Sequence, residues 1–319
     1  PAPAQGVLAF QCRENDTAIK NILKELHHPD VEETIAVERK ILQLFHGGCH
    51  MPLGAYCRKE NEQFHIWASR AADKISEQRR LYYPSPTTKD LAEQVFKKLN
   101  TKAHQTVFIT RDIDEQAGYY KLLTAAGYTV SGKSLIYIAP IAIHNIPQAD
   151  WIFFTSRNGV KYFFEQIKKL PEHIRIAAIG TETAIAVKNY GYLPHFIGNA
   201  DTTDKFSFIA RDQTVLFPQA LYARESLTQS IEQYAEVIKM PVYENTALKN
   251  ISLPQYDYVV FTSPMNADAY LSANNIKETQ RIIAIGTTTK NHLMQKGFEK
   301  IYVPPLTNLM SVADLICGL

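Results

Sequence analysis

Cysteine is scarce. The four thiols in 319 residues, Cys12, Cys49, Cys57 and Cys317, are too few and too scattered for a disulfide framework, and a reducing cytoplasm is the expected compartment. No apolar run approaches the ~20 residues of a membrane span. Charge of either sign is not in excess: 34 basic residues face 32 acidic ones, a net +2 that gives no field for nucleic acid or a membrane surface. The opening PAPAQGVLAF has neither a basic n-region nor a cleavage motif, so it does not read as a signal peptide. It starts on Pro without Met directly ahead of a strand-like run, which reads as a cut from a longer chain. GxGxxG does not occur, so no dinucleotide is indicated; GYTVSGKS at 127–134 has the letters of GxxxxGK[ST], but the strand-like, Pro-ended run LIYIAP follows it where a phosphate-binding loop needs a helix, so no nucleoside triphosphate is indicated either. What remains is an ordinary globular composition, 45% hydrophobic and 21% charged, at a length that suggests two or three domains.

The first hundred residues predict a small mixed unit. VLAFQC at 7–12 reads as a strand, followed by a helix from about Thr17 with Asn15 or Asp16 as N-cap. A second helix, Val31 to Phe45, stops at Gly47-Gly48. Three short strands are expected at 52–57, 63–70 and 79–83, with Leu53, Ala55 and Cys57 on one face, and an amphipathic helix over 88–99 closes the unit. Cys12 and Cys57 read as core. The polar joint Asn100-Thr101-Lys102 is the expected domain boundary.

Beyond it the texture changes to an α/β pattern. VFITR, WIFFTS, IAAIG, TVLFP, YVVFTS and IIAIG are apolar on both faces and alternate with helices, as parallel strands of a covered sheet do. The pattern also repeats. WIFFTS at 151–156 recurs as YVVFTS at 258–263, an offset of 107, while Gly180 and Gly286, and Gly191 and Gly297, stand 106 apart. A period this long means two similar lobes rather than a solenoid, and two lobes imply a cleft.

Each repeat ends one strand in Thr-Ser (Thr155-Ser156, Thr262-Ser263) and another in Gly-Thr-x-Thr (Gly180 to Thr183, with Thr181, and Gly286 to Thr289, with Thr288). Such hydroxyls cap helices, and they also stand where free helix N–H groups can meet an anion. Arg111 and Arg224 follow strand ends and suit carboxylates, which a guanidinium grips with two parallel bonds. Tyr243, in PVYENT, could supply a phenolic donor. His46, Cys49, His50 and Cys57 do not have the spacing of a standard closed zinc site, so no metal is expected.

At these residues the chain resembles two families of tetrapyrrole biosynthesis. From about residue 105 to 319, FTSRNG and FTSPMN, AIGTET and AIGTTT, LFPQALYARESL and VYENT fall in the order found in uroporphyrinogen-III synthases. The resemblance implies two α/β lobes with parallel sheets joined by a two-stranded connection, one lobe from 103–137 with 246–319 and the other from 138–245. It implies a cofactor-free lyase that takes hydroxymethylbilane, expels its terminal hydroxyl, inverts the last pyrrole ring and closes the macrocycle. Tyr243 matches the family's crossover tyrosine, assigned to departure of the hydroxyl. Thr288 and Ser263 match loop positions, and Arg111, Thr155, Ser156, Gly180, Thr181, Arg224 and Gly286 are the further candidates for substrate contact. Gln219-Ala220 departs from the Arg-Gly of many bacterial members, which puts one anion contact in doubt.

Residues 1–102 resemble the C-terminal domain of porphobilinogen deaminase (hydroxymethylbilane synthase): QGVLAFQCR, the AVER helix and GGCHMPLGAY keep that family's order. The resemblance implies a small α+β domain with a three-stranded antiparallel sheet. It places Cys49 on the cysteine that carries the dipyrromethane primer, and the missing deaminase domains become the natural partners. This part alone is then expected to be catalytically silent. A two-lobed sensor that binds tetrapyrrole without turnover is the competing reading.

Overall fold

The computed structural model describes residues 1–47, 52–71, 73, 76–199, 203–223 and 226–319. They form two compact units: Pro1–Leu135 together with Lys249–Leu319, and Ile136–Leu248.

The first unit opens with α1 (Thr17–Glu25), whose N-terminus is capped by Asp16, and α2 (Pro29–Leu44). An antiparallel sheet follows in the order β1 (Leu53–Glu60), β2 (Gln63–Arg70), β3 (Arg79–Ser85), and then α3 (Leu91–Asn100). The alternation read from the sequence holds: Leu53, Ala55 and Cys57 are buried with Phe64, Ile66 and Leu81 against Val37 and Ile41 of α2 and Leu91, Val95 and Leu99 of α3. Glu38 of α2 is buried because its carboxylate accepts from Ala4 N (2.6 Å) and from Cys57 N (2.7 Å) on the outer side of β1.

One expectation fails here. Residues 7–12 form no strand; Leu8 and Phe10 are 84% and 67% exposed. Apolarity marks a segment that can pair, but a strand also needs a ladder. On the outer side of β1, Ala55 N donates to Pro1 O and Cys57 N to Glu38, so these two edge donors are taken by groups other than residues 7–12. Cys12 is accordingly half-buried outside any sheet, not a core residue.

The chain continues through β4 (Thr106–Ile109), α4 (Gly118–Ala125) and β5 (Thr129–Gly132), and after visiting the second unit it returns through β12 (Tyr258–Phe261), α9 (Pro264–Leu271), β13 (Arg281–Ala284), α10 (Thr287–Gln295), β14 (Ile301–Tyr302) and α11 (Leu309–Gly318). Their parallel sheet has the order β14-β13-β12-β4-β5. Val107, Ile109, Tyr258, Val260 and Ile283 face α4 and α11, whereas Phe108 and Phe261 face Tyr270 of α9. At the amino-terminal edge, the Asp257 carboxylate accepts from Thr106 N (2.7 Å) and Thr106 Oγ1 (2.8 Å), tying β4 to β12.

The second unit consists of β6 (Ile136–Pro140), β7 (Trp151–Phe154), α5 (Arg157–Phe164), β8 (Arg175–Ile179), α6 (Thr181–Asn189), β9 (Phe196–Gly198), α7 (Thr203–Ile209), β10 (Thr214–Ala220), α8 (Ser226–Glu232) and β11 (Glu236–Ala247). Its sheet runs β6-β11-β10-β7-β8-β9, parallel except that β6 lies antiparallel to β11. Trp151, Phe153, Val215 and Phe217 bury one face and Ile152, Phe154 and Leu216 the other, which is why these strands read as unbroken apolar runs. The β6–β11 pair carries both chain crossings, since Ile136 and Ala247 are register partners. The fold is thus α/β with two parallel-sheet lobes and a two-stranded connection, preceded by a three-stranded antiparallel sheet.

Candidate active site

In the second unit the carboxyl ends of the parallel strands bring several candidates to one sheet edge. Ser156 follows β7 and is the N-cap of α5: its Oγ accepts from Gly159 N at 3.0 Å. The same Oγ lies 3.3 Å from the phenolic oxygen of Tyr243. Tyr243 sits in β11 between two partners, parallel to Ala220 and antiparallel to Pro140, and its ring stacks on Tyr162 of α5 at 5.5 Å. It is 6% exposed, so the ring is anchored by packing and the hydroxyl is aimed by Ser156. Beside them Thr155 is half-buried, and Gly180 and the exposed Thr181 open α6. Gly180 holds φ +78°, a conformation that costs side-chain-bearing residues, and donates to Gly198 O at 2.7 Å. Having no side chain, Gly180 leaves the first-turn N–H groups of α6 uncapped by its own residue, a place suited to anions.

The repeat in the first unit builds a related edge with different internal bonding. Ser263 caps α9, accepting from Asn266 N at 3.2 Å and from Asn266 Nδ2 at 3.1 Å. Thr110 and Thr262 are cross-braced: Thr262 N donates to Thr110 Oγ1 (2.9 Å) and Thr262 Oγ1 to Thr110 O (2.7 Å). Asn266, only 6% exposed, accepts from Leu135 N at 2.9 Å. Gly286 differs from its counterpart Gly180. Its backbone is extended, and a Cβ would stand 3.1 Å from Thr307, so glycine there makes room for a neighbour. Thr288 and Arg111 are exposed at the carboxyl ends of β13 and β4.

The structure therefore joins Tyr243 with Ser156, sets Thr155, Gly180 and Thr181 along the same edge, and gathers Arg111, Ser263, Gly286 and Thr288 on the sheet of the other unit. Arg224 and Cys49 lie outside the described residues, as does His50 of the discounted zinc spacing. Among the described residues there is no cluster of three or more His, Cys, Asp or Glu that could hold a metal ion, and no helix is long and apolar enough to cross a membrane.

Three residues of these edges escaped the sequence reading. Tyr162 holds the Tyr243 ring, and Asn266 links Ser263 to the start of the crossing strand. Arg157 puts a guanidinium one residue beyond Ser156, in a surface pair with Glu182 of α6 at 3.7 Å. FTSRNG and FTSPMN differ at that very position, Arg157 against Pro264, a signal that could have singled it out.

The fold comprises two α/β lobes with parallel sheets, each carrying a serine-capped helix at a strand end. The family model for uroporphyrinogen-III synthase HemD matches residues 118–313, and the chain belongs to that family. A solved uroporphyrinogen-III synthetase from Helicobacter pylori shares the fold with a TM-score of 0.52 at 19% identity, covering 65% of this chain and 95% of that one. The N-terminal region is similar to porphobilinogen deaminases: 46% identical over 68 residues to that of Fusobacterium nucleatum and 42% over 66 residues to that of Clostridioides difficile. These matches cover 21% of this chain and only 23% and 22% of those proteins, so the chain spans under a quarter of their length.

Proposed function

We propose that the chain is a uroporphyrinogen-III synthase, cyclising hydroxymethylbilane to uroporphyrinogen III with inversion of the last pyrrole ring and loss of one water. The observation that carries this reading is the Ser156–Tyr243 hydroxyl pair at 3.3 Å in a chain of this family. Gly159 N–H already donates to Ser156 Oγ. If the Ser156 proton then turns to the Tyr243 oxygen, the phenolic O–H is free to donate elsewhere, and the terminal hydroxyl of the substrate is the group that needs it. Proton donation of this kind contributes about 10²–10⁴-fold at most. The larger demand is to hold the flexible bilane in the geometry that inverts one ring, since unassisted closure gives the other isomer. The substrate's eight carboxylates suit the helix N-termini and hydroxyls at the strand ends, with Arg111 and Arg224 as guanidinium partners.

No cofactor is assigned to this reaction. The N-terminal region is proposed to have no transferase activity of its own, because it matches under a quarter of a deaminase; Cys49 keeps its proposed role as dipyrromethane carrier only for a complete deaminase. Separation of the porphyrin isomers formed from hydroxymethylbilane tests the reading. Isomer III supports it, whereas binding without a change in isomer ratio would make the protein a sensor.

A further inference from the structure

Helix α11 is buried almost all round: Ser311, Val312, Ala313, Asp314, Leu315, Ile316 and Gly318 are all buried. A helix at the surface of its sheet keeps one polar face, so burial on every side means that two bodies cover it. One is the lobe: Val312, Ala313, Leu315 and Ile316 pack with Val107 and Val260 of its sheet and Leu123 of α4, and Tyr128 Oη donates to Ile316 O at 3.0 Å. The other is the deaminase-like sheet. Asp314, Cys317 and Gly318 share the opposite face at i, i+3 and i+4. Arg80 of β3 grips Asp314 with two bonds, Nε to Oδ1 at 2.7 Å and Nη2 to Oδ2 at 2.6 Å, and Asp314 is 4% exposed. A Cβ on Gly318 would stand 1.9 Å from Tyr82 O, so β3 and the helix end approach backbone to backbone. Strand β3 divides its side chains accordingly: Leu81 enters the core under α2 and α3, and Tyr82 enters the core of the lobe.

We infer that residues 1–102 are a structural partner of the synthase lobe: the deaminase-like sheet seats α11, and residues 103–135 and 249–319 keep their full stability only with that sheet in place. The β3 side of the small sheet's second face is covered by α11, while Tyr56 of β1 on the same face stays 43% exposed. This gives the segment a role that needs none of the deaminase's remaining length. The inference stands apart from the catalytic proposal, since it makes the same claim whether or not the chain turns over substrate.

Native-state hydrogen exchange of the full chain in rising sub-denaturing urea tests it. The amides of β1–β3 and those of β12 and β13 should lose protection together, as one cooperative unit. Earlier release of β1–β3 while β12 and β13 stay fully protected would overturn it. A second measurement uses Arg80→Met, which strands a buried carboxylate and should lower the urea midpoint of both segments by about 1 M. Adding Asp314→Leu should restore at least half of that loss. No restoration, or a loss confined to β1–β3, contradicts the inference.

Discussion

The hydroxyls of Ser156 and Tyr243 meet at 3.3 Å although 87 residues separate them in the chain. Parallel strands bring them together: Ser156 leaves the end of β7, and β10 alone stands between that strand and β11, which carries Tyr243. The serine is thus both a helix cap and the neighbour of the phenol, and the two duties can be separated by mutation.

Removing the phenolic oxygen tests the proposed donor. Tyr243→Phe keeps the ring that stacks on Tyr162 and should leave the fold intact. Isomer III formation should fall by about ten-fold or somewhat more, less than the ~10²-fold or larger loss typical of a general acid, because holding the bilane in place supplies most of the rate. Unchanged turnover removes Tyr243 from this role.

The two serine caps make a paired comparison. Ser156→Ala and Ser263→Ala should each lower stability by about 1 kcal/mol in urea titrations, the usual worth of an N-cap. Only Ser156→Ala also takes away the partner of Tyr243, so its turnover, measured where both variants are fully folded, should fall, though by no more than that of Tyr243→Phe, and the double variant should lose little beyond Tyr243→Phe alone. Additive losses in the Ser156→Ala/Tyr243→Phe double variant would show that the two hydroxyls act independently.

Acid sensitivity should trace in part to Asp257. The bonds from Thr106 N and Oγ1 hold its carboxyl below the usual carboxylate range. A depressed folded-state pKa stabilises above the unfolded value of about 3.9, and that contribution disappears as pH falls through the lower folded value. Asp257→Asn should therefore be less stable than the parent at neutral pH, with the difference shrinking below about pH 4. A gap that stays constant down to pH 2, followed by circular dichroism, speaks against this assignment.

Thiol chemistry should separate Cys57 from Cys12. Burial, reinforced by the charges of Glu38 and Glu33, pushes the Cys57 thiol up to about 12, so it stays protonated at pH 8. Only thiolate alkylates. Peptide mass analysis after brief iodoacetamide treatment of the folded protein should find Cys12 modified and Cys57 untouched, and equal labelling would mean that β1 opens readily.

Much of the fold was legible because burial leaves a pattern. Runs such as WIFF and YVVF are covered on both faces and can belong only to central strands, while Leu53, Ala55 and Cys57 alternate as a half-covered sheet requires. The duplicated Thr-Ser likewise announced two helix caps, and both serines do cap. The misread segment, residues 7–12, is equally apolar, but apolarity reports what can pair and says nothing of whether a partner is present. Contacts between distant residues left even less trace. Arg80 and Asp314, 234 residues apart, are each unremarkable in sequence, and nothing local says that one fork of nitrogens will meet one carboxylate. The difference between Gly180 and Gly286 was hidden for a similar reason. The repeat makes them look equivalent, yet one answers a backbone torsion and the other the closeness of Thr307.

The most direct measurement is an isomer analysis. A separate deaminase generates hydroxymethylbilane in place, this chain is added, and the oxidised porphyrins are separated by chromatography. The account predicts a shift from isomer I towards isomer III that scales with added protein. Isomer I alone, from protein shown to be folded, would contradict it.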